Sequence, residues 1–300
     1  MIKVYVDSDI NTPILKRYLP DGSHWKDLEI TFNPDDYYDY HIIYNLPHNK
    51  PAPFKNTVDK DHTFLIWIEP PEVNSSIMWK PELDVMDKLG RIISSRTFGG
   101  SRSKYNDIIT KYQQATYWMV GVNYLNRDEV VGNITDYANY PVSNKNKLLS
   151  MTVSTQSYTK DQIQRQKFAK YLKDNLGDKL DLIITNKDLK DKEDTLRDYQ
   201  YNITIENSSH DDYWTEKLSD PLLCMTYPIY YGCTNLSRYF DSDVCSVIDI
   251  YDFEKSLQII KDTISVPYCD RLSSIYSAHK LVILKYNLME LIHQLIYKEI

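Results

Sequence analysis

Short runs of β-branched and aromatic residues alternate with helix-patterned segments almost from end to end of this 300-residue chain. The first half carries IKVYV, LEITF, HIIYNL, TFLIWIE and RIISS. The second half carries LLSMTVST, LDLIIT, YNITIE, PIYYG and VCSVIDI, with helical patterns through IQRQKFAKYLKDNL, after Asp212, and from Phe253 to about Ile264. Strand and helix in near-strict alternation predict an α/β fold whose parallel sheets are joined by helical crossovers. The length suits two domains of roughly 150 residues each. The polar, proline-containing segment GNITDYANYPVSNKNK, 132 to 147, is the natural divider. We therefore expect domains over 1–145 and 146–270. The last residues, LSSIYSAHKLVILKYNLMELIHQLIYKEI within 271–300, read as one long amphipathic helix that docks on the body of the protein.

Composition narrows the function. A chain with 42% hydrophobic and 26% charged residues is that of a folded soluble protein. A net charge of −7 offers no basic field for nucleic acid, although a local basic pocket could still hold one small anion. No run approaches the roughly 18 apolar residues of a membrane span, and the start MIKVYVDSDI lacks the apolar stretch of a signal peptide. Cys224, Cys233, Cys245 and Cys269 show no CxxC or zinc spacing, so we read them as reduced and buried in a cytoplasmic protein. The 8 glycines form neither GxGxxG nor GxxxxGK[ST]. Any bound phosphate must then be held by side chains and helix N-termini.

One junction concentrates polar groups. The strand YNITIE ends at Glu206, the loop NSSHDD follows, and a helix is expected near Tyr213 with Asp211 or Asp212 as its cap. Ligands of open α/β sheets sit beyond the carboxyl ends of strands, at helix N-termini that favour anions. Asn207, Tyr213, Glu216 and Lys217 lie where a nucleotide diphosphate would bind. Each also has a plain structural reading: turn former, packing group, first-turn dipole partner and solvated side chain.

Taken together the run resembles the signature of the α-1,3/1,4-fucosyltransferases, glycosyltransferase family ten. It reads YNITIENS, SHDDYW, TEK, LSDPLL and PIYYG, then CTNLSRYF and VIDIYDFE, a dense match over 199–260. The resemblance implies the GT-B architecture, two Rossmann-like domains facing each other across a cleft, with the C-terminal one holding a nucleotide sugar. It implies that Glu216 binds ribose hydroxyls, Lys217 the diphosphate, Asn207 phosphate oxygens, and that Tyr213 lines the nucleotide pocket. It also implies an arginine from the first helix of this domain, for which IQRQKF offers Arg165. Two departures stand out. Pro221 replaces the family's alanine and should kink or shorten the helix, and Cys224 and Met225 replace its closing alanine and glycine.

The N-terminal domain should supply acceptor site and base. TFLIWIEPPEVN ends an apolar strand at Glu69, and Pro70 and Pro71 then force the chain out of the sheet. A carboxylate so placed suits proton abstraction from a sugar hydroxyl, with Glu72 as second candidate and a mere strand cap as the plain alternative. DDYYDYH, 35 to 41, resembles an acidic metal pair but leads into a strand and reads as structural. FGGSRSKYN offers an acceptor loop or a turn. The charged NKDLKDKEDTLRD, 186 to 198, lacks an apolar face and reads as a solvated loop. The expected protein is an inverting, fucosyltransferase-like enzyme using GDP-fucose and a glycan acceptor, with Lys217 and Arg165 neutralising the departing diphosphate so that no divalent metal is required. The alternatives are the same scaffold with a UDP- or GDP-linked pentose or hexose, or a non-catalytic glycan- or nucleotide-binding module.

Overall fold

A computed structural model describes residues 1–45, 58–68, 83–142, 145–157, 159–185 and 189–300. The chain divides into two compact units, Met1–Thr116 with Tyr286–Ile300, and Tyr117–Lys285. The first unit runs β1 (Ile2–Ser8), α1 (Thr12–Lys16), β2 (His24–Trp25), β3 (Leu28–Thr31) and β4 (Tyr40–Tyr44). It continues through β5 (Thr63–Ile66), α2 (Leu83–Met86), β6 (Arg91–Ser94) and β7 (Ile109–Lys111). Its sheet has the order β2-β3-β1-β4-β5-β6-β7, parallel except where the short β2 pairs antiparallel with β3. β4, β5 and β6 are buried almost throughout, as parallel strands covered on both faces must be. Ile43, Leu65, Trp67 and Ile92 meet Val85, Met86 and Leu89 in the core of this unit.

The second unit contains α3 (Ile134–Ala138), β8 (Lys147–Ser154), α4 (Lys160–Leu176), β9 (Leu180–Thr185), β10 (Tyr199–Ile205) and α5 (Glu216–Leu223). β11 (Tyr227–Tyr231), β12 (Ser246–Val247), α6 (Phe253–Ser265) and α7 (Leu272–Leu284) complete it. All its strands are parallel, in the order β12-β11-β10-β8-β9. From β8 the chain goes first to one side, to β9, and then crosses to β10 on the other. The connections therefore diverge between β8 and β10, the place in a doubly wound sheet where ligands bind.

Two expectations about organisation change. The segment 132–147 lies within the second unit instead of dividing the units. Its polar residues are helix machinery: Asn133 caps α3 in a reciprocal pair with Asp136, and the Tyr137 and Tyr140 hydroxyls donate to Glu193 at 2.9 and 2.8 Å. The C-terminal stretch is two helices, not one. α7 ends at Leu284, and α8 (Leu288–Ile296) belongs to the first unit. Asn287 makes the break by accepting from the Glu290 amide as a new N-cap. Within the first unit Glu290 in turn accepts from Trp25 Nε1 at 2.9 Å and pairs with Lys26. Cys224, Cys233 and Cys245 are free and buried as expected, whereas Cys269, in the polar turn before α7, is exposed.

Candidate functional site

β10 delivers the site. Its apolar residues are buried in the sheet, and at its carboxyl end the chain turns polar at Glu206 and Asn207. Across the divergence point, Thr159 caps α4 with Gln162 as reciprocal partner, and the Thr159 hydroxyl donates to the Asn207 carbonyl at 3.0 Å. One turn later Arg165, only 5% exposed, donates through one guanidinium nitrogen to the Ile205 carbonyl at 3.0 Å and to Asn207 Oδ1 at 3.2 Å. Its other terminal nitrogen reaches the Ser154 hydroxyl at the end of β8. Its Nε is buried with no hydrogen-bond partner among the described residues. Because Asn207 receives Arg165 on its oxygen, its amide NH2 remains the donating end.

The loop after Asn207 is held by the segment following β11. Asp212 adopts φ +59°, and its carboxylate accepts from Asn235, Arg238 and Tyr239, while Asn235 Oδ1 accepts the Asp212 amide at 2.8 Å. His210 stacks on Tyr213, ring centroids 4.7 Å apart and 14° from parallel. Asp212 therefore shapes a turn and is not the N-cap of the next helix. α5 starts at Glu216, later than expected, with Thr215 as N-cap.

Thr215 wins that role because Glu206 fixes it. The Thr215 amide and hydroxyl donate to the two oxygens of Glu206 at 2.8 and 2.7 Å, and the same hydroxyl accepts the Lys217 amide. A β-carbon on Gly232 would come within 2.4 Å of both Glu206 Cγ and the Tyr230 hydroxyl, so only glycine lets β11 leave the sheet beside this carboxylate. Glu216 and Lys217 face each other in a 2.8 Å ion pair. α5 is short and carries Pro221 inside it. Met225, at φ +54°, takes the left-handed position a glycine would fill, with the Met225 and Thr226 amides donating to Leu222 and Pro221.

The charged stretch 186–198 corrects the sequence reading most. Lys192 is not solvated. Its ammonium donates to Asp220 at 2.8 Å and to the Glu216 carbonyl at 3.2 Å, and Asp220 also accepts the Met119 amide. Glu193 is likewise buried, between Tyr137, Tyr140 and Arg197.

The charges are graded. Burial pushes Glu206 up to about 6, with Lys217 pulling the other way. Burial also works against Glu216, but Lys217 and Lys192 outweigh it and bring its carboxyl down to about 2. Burial lifts Asp220 to about 6 against the pull of Lys192. Burial lowers Arg165, with Glu206, Tyr213 and Glu216 opposing, and a guanidinium stays cationic through such a change. Arg165 and Lys217 thus stand beside a helix N-terminus.

The sequence-predicted residues Arg165, Asn207, Tyr213, Glu216 and Lys217 thus gather at one place. Glu69 and Glu72 lie outside the described residues. The FGGSRSKYN segment forms a 3-10 turn tied to α2 by Lys104 and Tyr105 donating to Asp87. Sequence reasoning passed over Glu206, Thr215, Lys192 and Asp220. The serviceable signal was Thr215 itself, an N-cap residue type followed at once by the acidic Glu216 and then by a run with leucines.

Residues 142–268 match the family model described as "Glycosyltransferase family 10 (fucosyltransferase) C-term". The likeness to family 10 lies in this segment of the chain. A curated relative, the α-(1,3)-fucosyltransferase FucT of Helicobacter pylori, is 31% identical over 74 residues, which is 24% of this chain and 16% of that protein's length. The solved structure of an α1,3-fucosyltransferase with GDP is similar over 96% of this chain and 92% of that one, at 14% identity and TM-score 0.52. A form of α1,3-fucosyltransferase with GDP-fucose gives 95% and 92% coverage, 14% identity and TM-score 0.50. These likenesses establish the GT-B fold for the chain. No described helix is long and apolar enough to cross a membrane.

Proposed function

We propose that the chain transfers fucose from GDP-fucose to a glycan hydroxyl with inversion at the anomeric carbon. The observation that carries this reading is the Arg165–Asn207 pair at the β8/β10 divergence point, beside the Thr215–Glu216–Lys217 turn. In this reading Lys217 leaves its pair with Glu216 to meet the diphosphate, and Glu216, ionised at any pH above about 2, accepts from the ribose hydroxyls. The Asn207 amide donates to a phosphate oxygen, while Arg165 and Lys217 neutralise the charge that grows as the sugar–phosphate bond breaks. Tyr213 forms a wall of the nucleotide pocket. Glu69 takes the proton of the acceptor hydroxyl as that oxygen attacks the anomeric carbon in line, with Glu72, beyond Pro70 and Pro71 in the sequence, as the second candidate.

The family 10 match over 142–268 supports the reaction class, and the GDP and GDP-fucose of the similar structures support the choice of donor. Calorimetry and thermal shift with GDP, GDP-fucose, GDP-mannose, UDP and UDP-glucose test the reading. GDP and GDP-fucose should bind and stabilise the protein, and no response to any of the five would remove it.

A further inference from the structure

Lys192 stands outside the residues assigned to the donor, yet its ammonium is held against the helix that carries two of them. Its side chain is 12% exposed and that of Asp220 is 0% exposed. Two of its three ammonium donors go to α5: one to the Asp220 carboxylate and one to the main-chain carbonyl of Glu216, in the turn that carries the two charged side chains facing the ligand. The position is telling. Pro221 has no amide, so it cannot complete the helical bond to Lys217, and its ring pushes on that turn. Lys192 makes its bond at the neighbouring carbonyl. On the opposite side Glu206 holds the same turn through Thr215. A buried ion pair is weak support for stability, because desolvation offsets its attraction, so the contribution of this one is sought in geometry.

We propose that Lys192 is a positioning residue for the donor site: with Asp220 it clamps the Glu216 carbonyl and so fixes the direction in which Glu216 and Lys217 present their charges to a nucleoside diphosphate. The inference rests on the donor assignment made above, and adds a residue from a segment that otherwise looks like a solvated excursion. Its charge also helps hold Glu216 ionised, with Lys217 contributing more.

The test compares wild type with Lys192→Met and with the double variant K192M/D220N, in which Asn keeps an oxygen for the Met119 amide. Three quantities are read: melting temperature, hydrogen exchange of the peptide over 213–219, and GDP affinity. Lys192→Met alone should lower the melting temperature, since it strands a buried carboxylate, and the neutral double variant should regain most of that loss. Both should nevertheless exchange about tenfold faster over 213–219 and bind GDP about tenfold more weakly. A double variant with wild-type exchange, or with wild-type GDP affinity, would mean that Lys192 only neutralises Asp220, and the inference would fall. Should wild type itself ignore GDP, the donor reading fails, and the exchange rates alone still decide whether Lys192 holds the turn.

Discussion

Replacing Glu206 by Gln should stabilise the protein relative to wild type as pH rises, and only across a narrow window. Glu206 is wholly buried, and its carboxyl is raised from 4.5 to about 6. Between those values the folded protein holds the proton more tightly than the unfolded chain does. The associated stability is complete below pH 4.5 and is lost as pH climbs through about 6. At ~1.4 kcal/mol per pH unit, the gap of 6 − 4.5 amounts to about 2 kcal/mol. Glutamine keeps the size and one accepting oxygen, and does not titrate. Asp220, raised to about 6, has the same sign but is common to both proteins, so it cancels in the difference. Glu216, held near 2, acts with the opposite sign and only below pH 4.5. Urea denaturation of both proteins at pH 4.5, 5.5 and 6.5 reads the effect directly. The difference in unfolding free energy should move by about 1.5 kcal/mol in favour of the variant across the series, most of the full gap. A constant difference would show that the Glu206 carboxyl titrates alike in the folded and unfolded protein, and the account of the Thr215 clamp as a costly buried carboxylate would be wrong.

Three other substitutions probe separate parts of the account. Lys217→Ala should weaken GDP binding by about 1.5–3 kcal/mol, the loss of a hydrogen bond to a charged group, with an unchanged circular dichroism spectrum; unaltered affinity by calorimetry would return Lys217 to the solvated surface. Gly232→Ala puts a carbon 2.4 Å from Glu206 Cγ and from the Tyr230 hydroxyl, both buried, and should destabilise by about 1–3 kcal/mol while also weakening GDP binding. A wild-type melting temperature would mean the approach is relieved elsewhere. Glu69→Gln should reduce turnover by roughly 10²- to 10⁴-fold and leave donor affinity unchanged; near-normal turnover would shift the role of base to Glu72.

The apolar runs were readable because parallel strands, buried on both faces, leave little room for polar residues, and each run appears as a strand near its expected place. Asn207, Tyr213, Glu216 and Lys217 were readable because they sit in one local stretch. The bond that joins Arg165 to Asn207 spans 42 positions and exists only because the chain reverses direction across the sheet between β8 and β10. Lys192 was hidden for a different reason: a run of alternating charges looks the same whether its side chains meet water or, like Lys192 and Glu193, meet Asp220, Tyr137 and Tyr140. Three residues competed to cap α5, and Thr215 prevailed through Glu206, a tertiary partner that local pattern does not reveal. The break between α7 and α8 was legible in principle, since Asn287 followed three residues later by Glu290 is a cap signature inside an apolar stripe.

The central claim is transfer from a GDP-linked sugar, and the most direct measurement is the wild-type protein incubated with GDP-fucose and a panel of galactose- and N-acetylglucosamine-containing oligosaccharides, with GDP release and glycan mass followed together. The account predicts GDP released in step with a glycan product heavier by one fucose, and loss of both signals in Lys217→Ala. Binding of GDP-fucose with no transfer to any acceptor would contradict it in favour of a binding module, and transfer from UDP-sugars in place of GDP-fucose would contradict the assignment of the donor.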